Sequence, residues 1–121
     1  MNGQVAIKSH ETWIAVCPAS ELVTDCGICV LLEEDGRQHQ VAIFKLGEEA
    51  LFALDNYDPI GKAGVLSRGI TGSIGERKGV ASPLYKQHFC LATGQCLEDA
   101  AVCLRTWPVR VRDDKVELQL P

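Results

Sequence analysis

The chain has 121 residues, of which 46% are hydrophobic and 23% charged, with a formal net charge of −4. That balance suits one soluble globular domain with a modest core. No apolar run approaches the roughly 18 residues of a membrane span, and Met1 to His10 lacks the apolar stretch of a secretion signal, so the expected location is the cytoplasm, with no membrane partner.

The periodicity is mostly that of strands. Trp13-Ile14-Ala15-Val16-Cys17 is a short apolar run ended by Pro18, and Ser20-Glu21-Leu22 has room for one helical turn. Ile28-Cys29-Val30-Leu31-Leu32 stops at the turn signal Glu34-Asp35-Gly36. Val41-Ala42-Ile43-Phe44 and Leu51-Phe52-Ala53-Leu54 follow, with Gly47-Glu48-Glu49 turning between them. Enrichment in β-branched and aromatic residues within such short runs favours strand over helix.

Residues 56–80 change character. Glycines at 61, 64, 69, 72, 75 and 79 interrupt any regular pattern, so the expectation is a long ordered loop, and loops of that length in compact domains are usually functional. Beyond it, His88-Phe89-Cys90-Leu91 and Cys96-Leu97 flank the hairpin signal Ala92-Thr93-Gly94-Gln95. Val109-Arg110-Val111 and Val116-Glu117-Leu118 flank Asp113-Asp114-Lys115, and their alternation implies one solvated face. The sum is an all-β chain: an antiparallel β-sandwich or partial barrel carrying an inserted subdomain of two loops, at about residues 55–90.

Six cysteines stand at 17, 26, 29, 90, 96 and 103. In a cytoplasmic setting they are expected to be reduced and mostly to fill apolar core positions. Cys26-Gly27-Ile28-Cys29 has no second pair to complete a zinc site. It also lacks the helix N-terminus of a thioredoxin-type motif, so it reads as two core or edge cysteines. Cys90 and Cys96 could face each other across their hairpin. His10, His39 and His88 accompany no nucleophile motif. Thr71-Gly72-Ser73-Ile74-Gly75 lacks the strand–turn–helix setting of a nucleophile elbow, and no catalytic residue is assigned.

Two loops carry the informative residues: Asp55-Asn56-Tyr57-Asp58-Pro59 and Ser82-Pro83-Leu84-Tyr85-Lys86-Gln87-His88-Phe89. They resemble the two iron-binding loops of a Rieske domain, where Cys-x-His and Cys-Pro-x-His supply two thiolates and two imidazoles. Asn56 and Asp58 stand at the first Cys and His places, and Ser82 and Tyr85 at the second. One carboxylate and three neutral oxygen or amide groups are a poor donor set for iron–sulfur chemistry and too few for a magnesium or calcium site, so no metal and no bound cofactor are expected. Hydrogen bonds tying the loops together, Tyr85 to Asp58 or Ser82 to Asn56, are the expected replacement.

Asn56-Tyr57-Asp58-Pro59, Val65-Leu66-Ser67-Arg68-Gly69, Ala81 to Phe89, Thr93 to Asp99 and Trp107-Pro108-Val109-Arg110-Val111 together resemble the small subunit of the cytoplasmic NADH-dependent assimilatory nitrite reductase, a Rieske-like domain without a cluster. The likeness runs from about Trp13 to Leu118, and the 23 residues between the loops, 59–81, fit that subunit better than a ferredoxin. It implies an oxidoreductase that converts nitrite to ammonium, with FAD, an iron–sulfur cluster and sirohaem all carried by the large subunit. This chain then docks on that large subunit and is not itself catalytic. Two other readings stand beside it: a free-standing protein-interaction module on a degenerate Rieske fold, and a Rieske-type ferredoxin.

Charge supports docking. Residues 56–88 hold five basic side chains (Lys62, Arg68, Arg77, Lys78 and Lys86) against Asp58 and Glu76, a net +3. The remainder holds seven basic and fourteen acidic residues, a net −7. A positive tip on a negative body steers association with an acidic partner surface, and Tyr57, Arg68, Lys86, Gln87 and His88 are the expected contacts. The acidic total, without an aromatic platform beside the basic residues, argues against nucleic acid.

Overall fold

A computed structural model describes residues 12–84 and 86–120. Twelve strands appear in chain order: β1 (Thr12–Pro18), β2 (Cys26–Glu34), β3 (Arg37–Leu46), β4 (Ala50–Asp55), β5 (Tyr57–Asp58), β6 (Ala63–Gly64), β7 (Ile70–Ile74), β8 (Arg77–Ala81), β9 (His88–Cys90), β10 (Thr106–Trp107), β11 (Val109–Arg112) and β12 (Lys115–Leu120). Two 3-10 turns, Ala19–Glu21 and Leu66–Arg68, are the helical elements among the described residues. Every ladder is antiparallel. The strands form sheets in the orders β1-β12-β11, β10-β4-β3-β2 and β7-β8-β9, plus the small β5-β6 pair.

The unbroken apolar run Val41 to Phe44 is explained by β3 lying between two cores. Val41 and Ile43 point to one side, with Val30, Leu32, Ala53, Trp107, Val116 and Leu118. Ala42 and Phe44 point to the other, with Leu54, Leu66, Val80, Phe89 and Leu104. Alternation of side chains along a strand makes this division automatic, and burial of both faces removes the polar half of the pattern. The first core joins the β10-β4-β3-β2 sheet to the β1-β12-β11 sheet. The second carries the β7-β8-β9 sheet.

The turns follow their residues. Asp35 and Gly36, with φ of 51° and 78°, close β2 on β3, and Asp113 and Asp114, at 52° and 63°, close β11 on β12. Two successive positive φ values are the geometry of a tight hairpin that continues the strand twist. Arg105 pins the approach to β10: its guanidinium holds both Glu34 oxygens at 2.8 and 3.2 Å and lies 4.4 Å from the centre of the Trp107 ring.

Three expectations are corrected. Residues 56–80 are not one irregular loop, for they contain β5, β6, a 3-10 turn and the β7–β8 hairpin. Cysteines do not mostly fill the core: Cys90 and Cys96 are buried, Cys17 is half-buried, and Cys26, Cys29 and Cys103 are exposed. Cys90 and Cys96 do not face each other, because Cys96 bridges Phe89 while the Cys90 N–H donates to the Gln95 carbonyl.

Candidate functional site

The first loop begins where β4 runs out of partner. Asp55 N–H donates to the Arg105 carbonyl (2.9 Å) and Asn56 N–H to the Gln40 carbonyl (3.0 Å), which carries the backbone out of the sheet. Asn56 is 2% exposed. Its Nδ2 donates to Gln40 Oε1 at 3.1 Å, and its Oδ1 accepts from Ser67 N–H at 2.7 Å. One amide thus stitches β3 to the Leu66–Arg68 turn and fixes where Arg68 emerges.

Asp58 is completely buried. Oδ1 accepts from the N–H groups of Ile60 (2.8 Å) and Gly61 (3.0 Å), the local turn that an aspartate side chain makes with its own backbone. Oδ2 accepts from the Ser82 hydroxyl at 2.5 Å. Ser82, itself 1% exposed, belongs to the second loop, so this bond joins the two. The Ser82 oxygen also accepts from Leu84 N–H at 3.3 Å, while Ser82 N–H donates to the Gln87 carbonyl (2.8 Å) and Lys86 N–H to the Ser82 carbonyl (3.1 Å). A buried charge demands partners. Among the described residues no cation reaches Asp58, and three donors share its load.

The pairing expected between Ser82 and Asn56 is therefore replaced by Ser82 to Asp58. Tyr85, the fourth ligand-equivalent position and the other expected partner of Asp58, lies outside the described residues. The apposition is tight: a Cβ built on Gly61 would lie 2.6 Å from Leu84 Cδ1 and 2.9 Å from Asp58 Oδ2. A side chain at position 61 would have to displace the Leu84 side chain and crowd the Asp58 carboxylate.

Around this buried knot sit the expected docking residues. Tyr57 is 47% exposed, and Arg68 and Lys86 are exposed. Gln87 is half-buried. His88 opens β9, where its N–H donates to Glu98 Oε1 (2.7 Å) and its Nδ1 lies 2.6 Å from Glu98 Oε2. These bonds hold the Glu98 carboxyl below its usual pKa, the backbone N–H of His88 contributing most and its ring next. Arg68 stands apart from the others, lining a groove beside β7. Leu84, 44% exposed, was not among the expected contacts. Its signal was an apolar residue between Pro83 and Tyr85 in an otherwise polar loop.

A family profile described as a Rieske-like [2Fe-2S] domain matches residues 12–119. The Escherichia coli nitrite reductase (NADH) small subunit is 38% identical over 111 residues, spanning 88% of this chain and 96% of that protein. The chain belongs to the nitrite reductase small-subunit family of Rieske-like domains. The solved structure of the Escherichia coli protein NirD superposes with a TM-score of 0.79 at 35% identity, covering 90% of this chain and 96% of that one. The nitrite reductase [NAD(P)H] large subunit of Klebsiella oxytoca is 38% identical over 114 residues, which is 94% of this chain but 11% of that protein.

The cluster in the profile's description does not fit this small-subunit family member. Three of the positions expected to match the ligands hold an amide, a carboxylate and a hydroxyl, and each is already consumed by protein hydrogen bonds. Asp58 and Ser82, one from each loop, are in direct contact, which leaves no space between their side chains. Among the described residues, no group of three or more His, Cys, Asp or Glu side chains could hold a metal.

Proposed function

We propose that this chain is the small subunit of a cytoplasmic NADH-dependent nitrite reductase, which converts nitrite to ammonium in nitrate and nitrite assimilation. It binds no cofactor and docks through its loop tips on the catalytic large subunit, which carries FAD, an iron–sulfur cluster and sirohaem. The observation that carries the reading is the Asp58–Ser82 bond. It keeps two Rieske-type loops folded against each other after their metal chemistry has gone, and what then remains is the surface they present: Tyr57, Leu84, Lys86, Gln87 and His88, with Arg68 further off at the β7 groove as a second charged contact.

The Klebsiella oxytoca comparison supports attachment. A stretch of one large subunit, about a ninth of its length, resembles 94% of this chain. A domain that is covalently part of the large subunit in one organism and similar to a separate chain in another is expected to occupy the same place in both.

Co-purification with the large subunit tests the proposal, with NADH-dependent nitrite loss and the visible spectrum followed on the same samples. Binding, with nitrite loss dependent on the small chain and no added iron–sulfur absorbance, is the expected result. A chain that neither binds nor changes nitrite loss would instead be a free-standing interaction module.

A further inference from the structure

Sheet edges expose unpaired backbone groups, and proteins normally blunt them with charge, proline, bulges or cover. Most edges here are blunted. β1 has a bulge between Ala15 and Cys17 and ends at Pro18. β11 follows Pro108 and carries Arg110 and Arg112. β2 carries Glu33 and Glu34, and the Leu66–Arg68 turn presses on its start, where a Cβ on Gly27 would lie 2.6 Å from the Ser67 carbonyl oxygen. β9 is covered by residues 95–97, through bonds from Cys90 N–H to the Gln95 carbonyl and from Leu97 N–H to the His88 carbonyl.

β7 differs from these, and unlike the two-residue edge strand β10 it is long enough to pair along several residues. Its sequence, Ile70-Thr71-Gly72-Ser73-Ile74, contains no charge and no proline, and its register with β8 runs without a bulge. It lies at the edge of the β7-β8-β9 sheet. Ile70 at its start is 76% exposed, more than any other large apolar side chain among the described residues. The strand borders a groove of about 950 Å³ whose other wall is Asp25–Gly27 with Leu46, Gly47 and Ala50, and the two walls touch where the Thr71 hydroxyl donates to the Asp25 carbonyl at 3.0 Å. Arg68 and Lys78 line the same groove. Residues 68–81 carry Arg68, Arg77 and Lys78 against Glu76 alone, in a chain whose net charge is −4. The one carboxylate lining the groove, Asp25, is held by Gly47 N–H at 3.1 Å.

We infer that β7 is a strand-addition site, taking an extended acidic segment of a partner protein. Main-chain hydrogen bonds to this edge, with which no other strand among the described residues pairs, supply affinity, as in other strand-augmentation complexes. Arg68 and Lys78 select acidic side chains, and Ile70 offers apolar contact at the strand's entry. This inference does not rest on the tip-docking reading, with which it shares only Arg68.

The test uses the isotopically labelled full chain and two probe peptides, an alternating Glu-Val hexapeptide and its Lys-Val counterpart. Amide shifts and hydrogen exchange are followed by NMR. The acidic peptide is expected to shift and protect amides within residues 70–74 and to bind about tenfold or more tightly than the basic one, the scale of two rim ion pairs. Arg68→Glu with Lys78→Glu reverses that preference. The acidic peptide with every backbone amide N-methylated no longer binds. Equal binding of the methylated peptide would reduce the groove to a charged patch and overturn strand addition. So would silence of the 70–74 amides toward the acidic peptide. Peptide-free self-association abolished by Ile70→Lys would place a second copy of the chain there instead. No nitrite reductase subunit enters this experiment, so its failure leaves the proposed function standing.

Discussion

The Ser82 hydroxyl donates to Asp58 Oδ2 across 2.5 Å, joining two loops 24 residues apart in the chain, with both side chains almost completely buried. A hydrogen bond to a charged group is worth roughly 1.5–3 kcal/mol, and leaving such a group unsatisfied costs at least as much. Ser82→Ala is expected to destabilise the fold by about 1–3 kcal/mol in urea unfolding. A cycle with Asp58→Ala should show coupling above about 1 kcal/mol, because the partners are in contact. Additive single effects would mean that the loops are held by something else.

Asn56 uses both ends of its amide, toward Gln40 and Ser67. Asn56→Ala orphans the Ser67 N–H and is expected to cost about 1–3 kcal/mol. Gln40→Ala removes the other partner, an exposed side chain that water can replace, so the loss should be smaller. Thermal unfolding of the two variants side by side gives the ranking; equal losses would count against the Ser67 bond as the main one.

Glycine 27 is required by close approach. A Cβ there would lie 2.5 Å from Phe44 Cε1 and 2.6 Å from the Ser67 carbonyl oxygen. Gly27→Ala must push the Leu66–Arg68 turn away from β2, at roughly 1–3 kcal/mol. Gly72, with nothing within 4 Å of its missing Cβ, should accept alanine within about 0.5 kcal/mol. Comparison of their denaturation midpoints tests whether the turn is clamped to the sheet.

Much of this architecture was legible because burial wrote it into the sequence. Val41 to Phe44 read as a strand since both faces are apolar, and Glu34-Asp35-Gly36 and Asp113-Asp114-Lys115 read as turns since their residues tolerate positive φ. The β7–β8 hairpin was missed for the opposite reason. Apart from Gly79 and Val80 its residues are exposed or half-buried, so neither alternation nor an apolar run announces it. The two loops were legible as a pair, yet not which oxygen meets which hydroxyl. Asp58 rather than Asn56 reaches Ser82 because Asn56 is turned back toward β3 by Gln40, a contact between residues 16 apart that local pattern does not encode. Cys26 and Cys29 were placed at a core or edge, and it is the edge strand β2 that holds them.

Acid should loosen the β9 end of the tip. Glu98 and Glu34 both have lowered pKa values, Glu98 chiefly through the His88 backbone N–H and Glu34 chiefly through its hydrogen bond to Arg105. A depressed folded-state pKa gives stabilisation that is present above the unfolded carboxyl value and lost as pH falls through the folded one. Carboxyl titration followed by carbon NMR should place both groups below an ordinary glutamate. The protection of the His88 amide, measured against its intrinsic exchange rate at each pH, should fall as pH drops through the Glu98 titration. Glu98→Gln should remove that change in protection. A His88 protection that stays constant with pH in the wild-type chain would show that the Glu98 contact does not hold the strand.

Binding isotherms against a nitrite reductase large subunit decide whether the loop tips are the face that this chain presents to it. The wild-type chain is compared with the tip variant Arg68→Glu/Lys86→Glu and with the body variant Arg112→Glu/Lys115→Glu, which changes charge equally on the distant β11–β12 hairpin. Tip reversal is expected to weaken binding by about tenfold or more, with the body variant binding like wild type. Equal weakening of both variants, or loss confined to the body variant, would contradict docking through the tips.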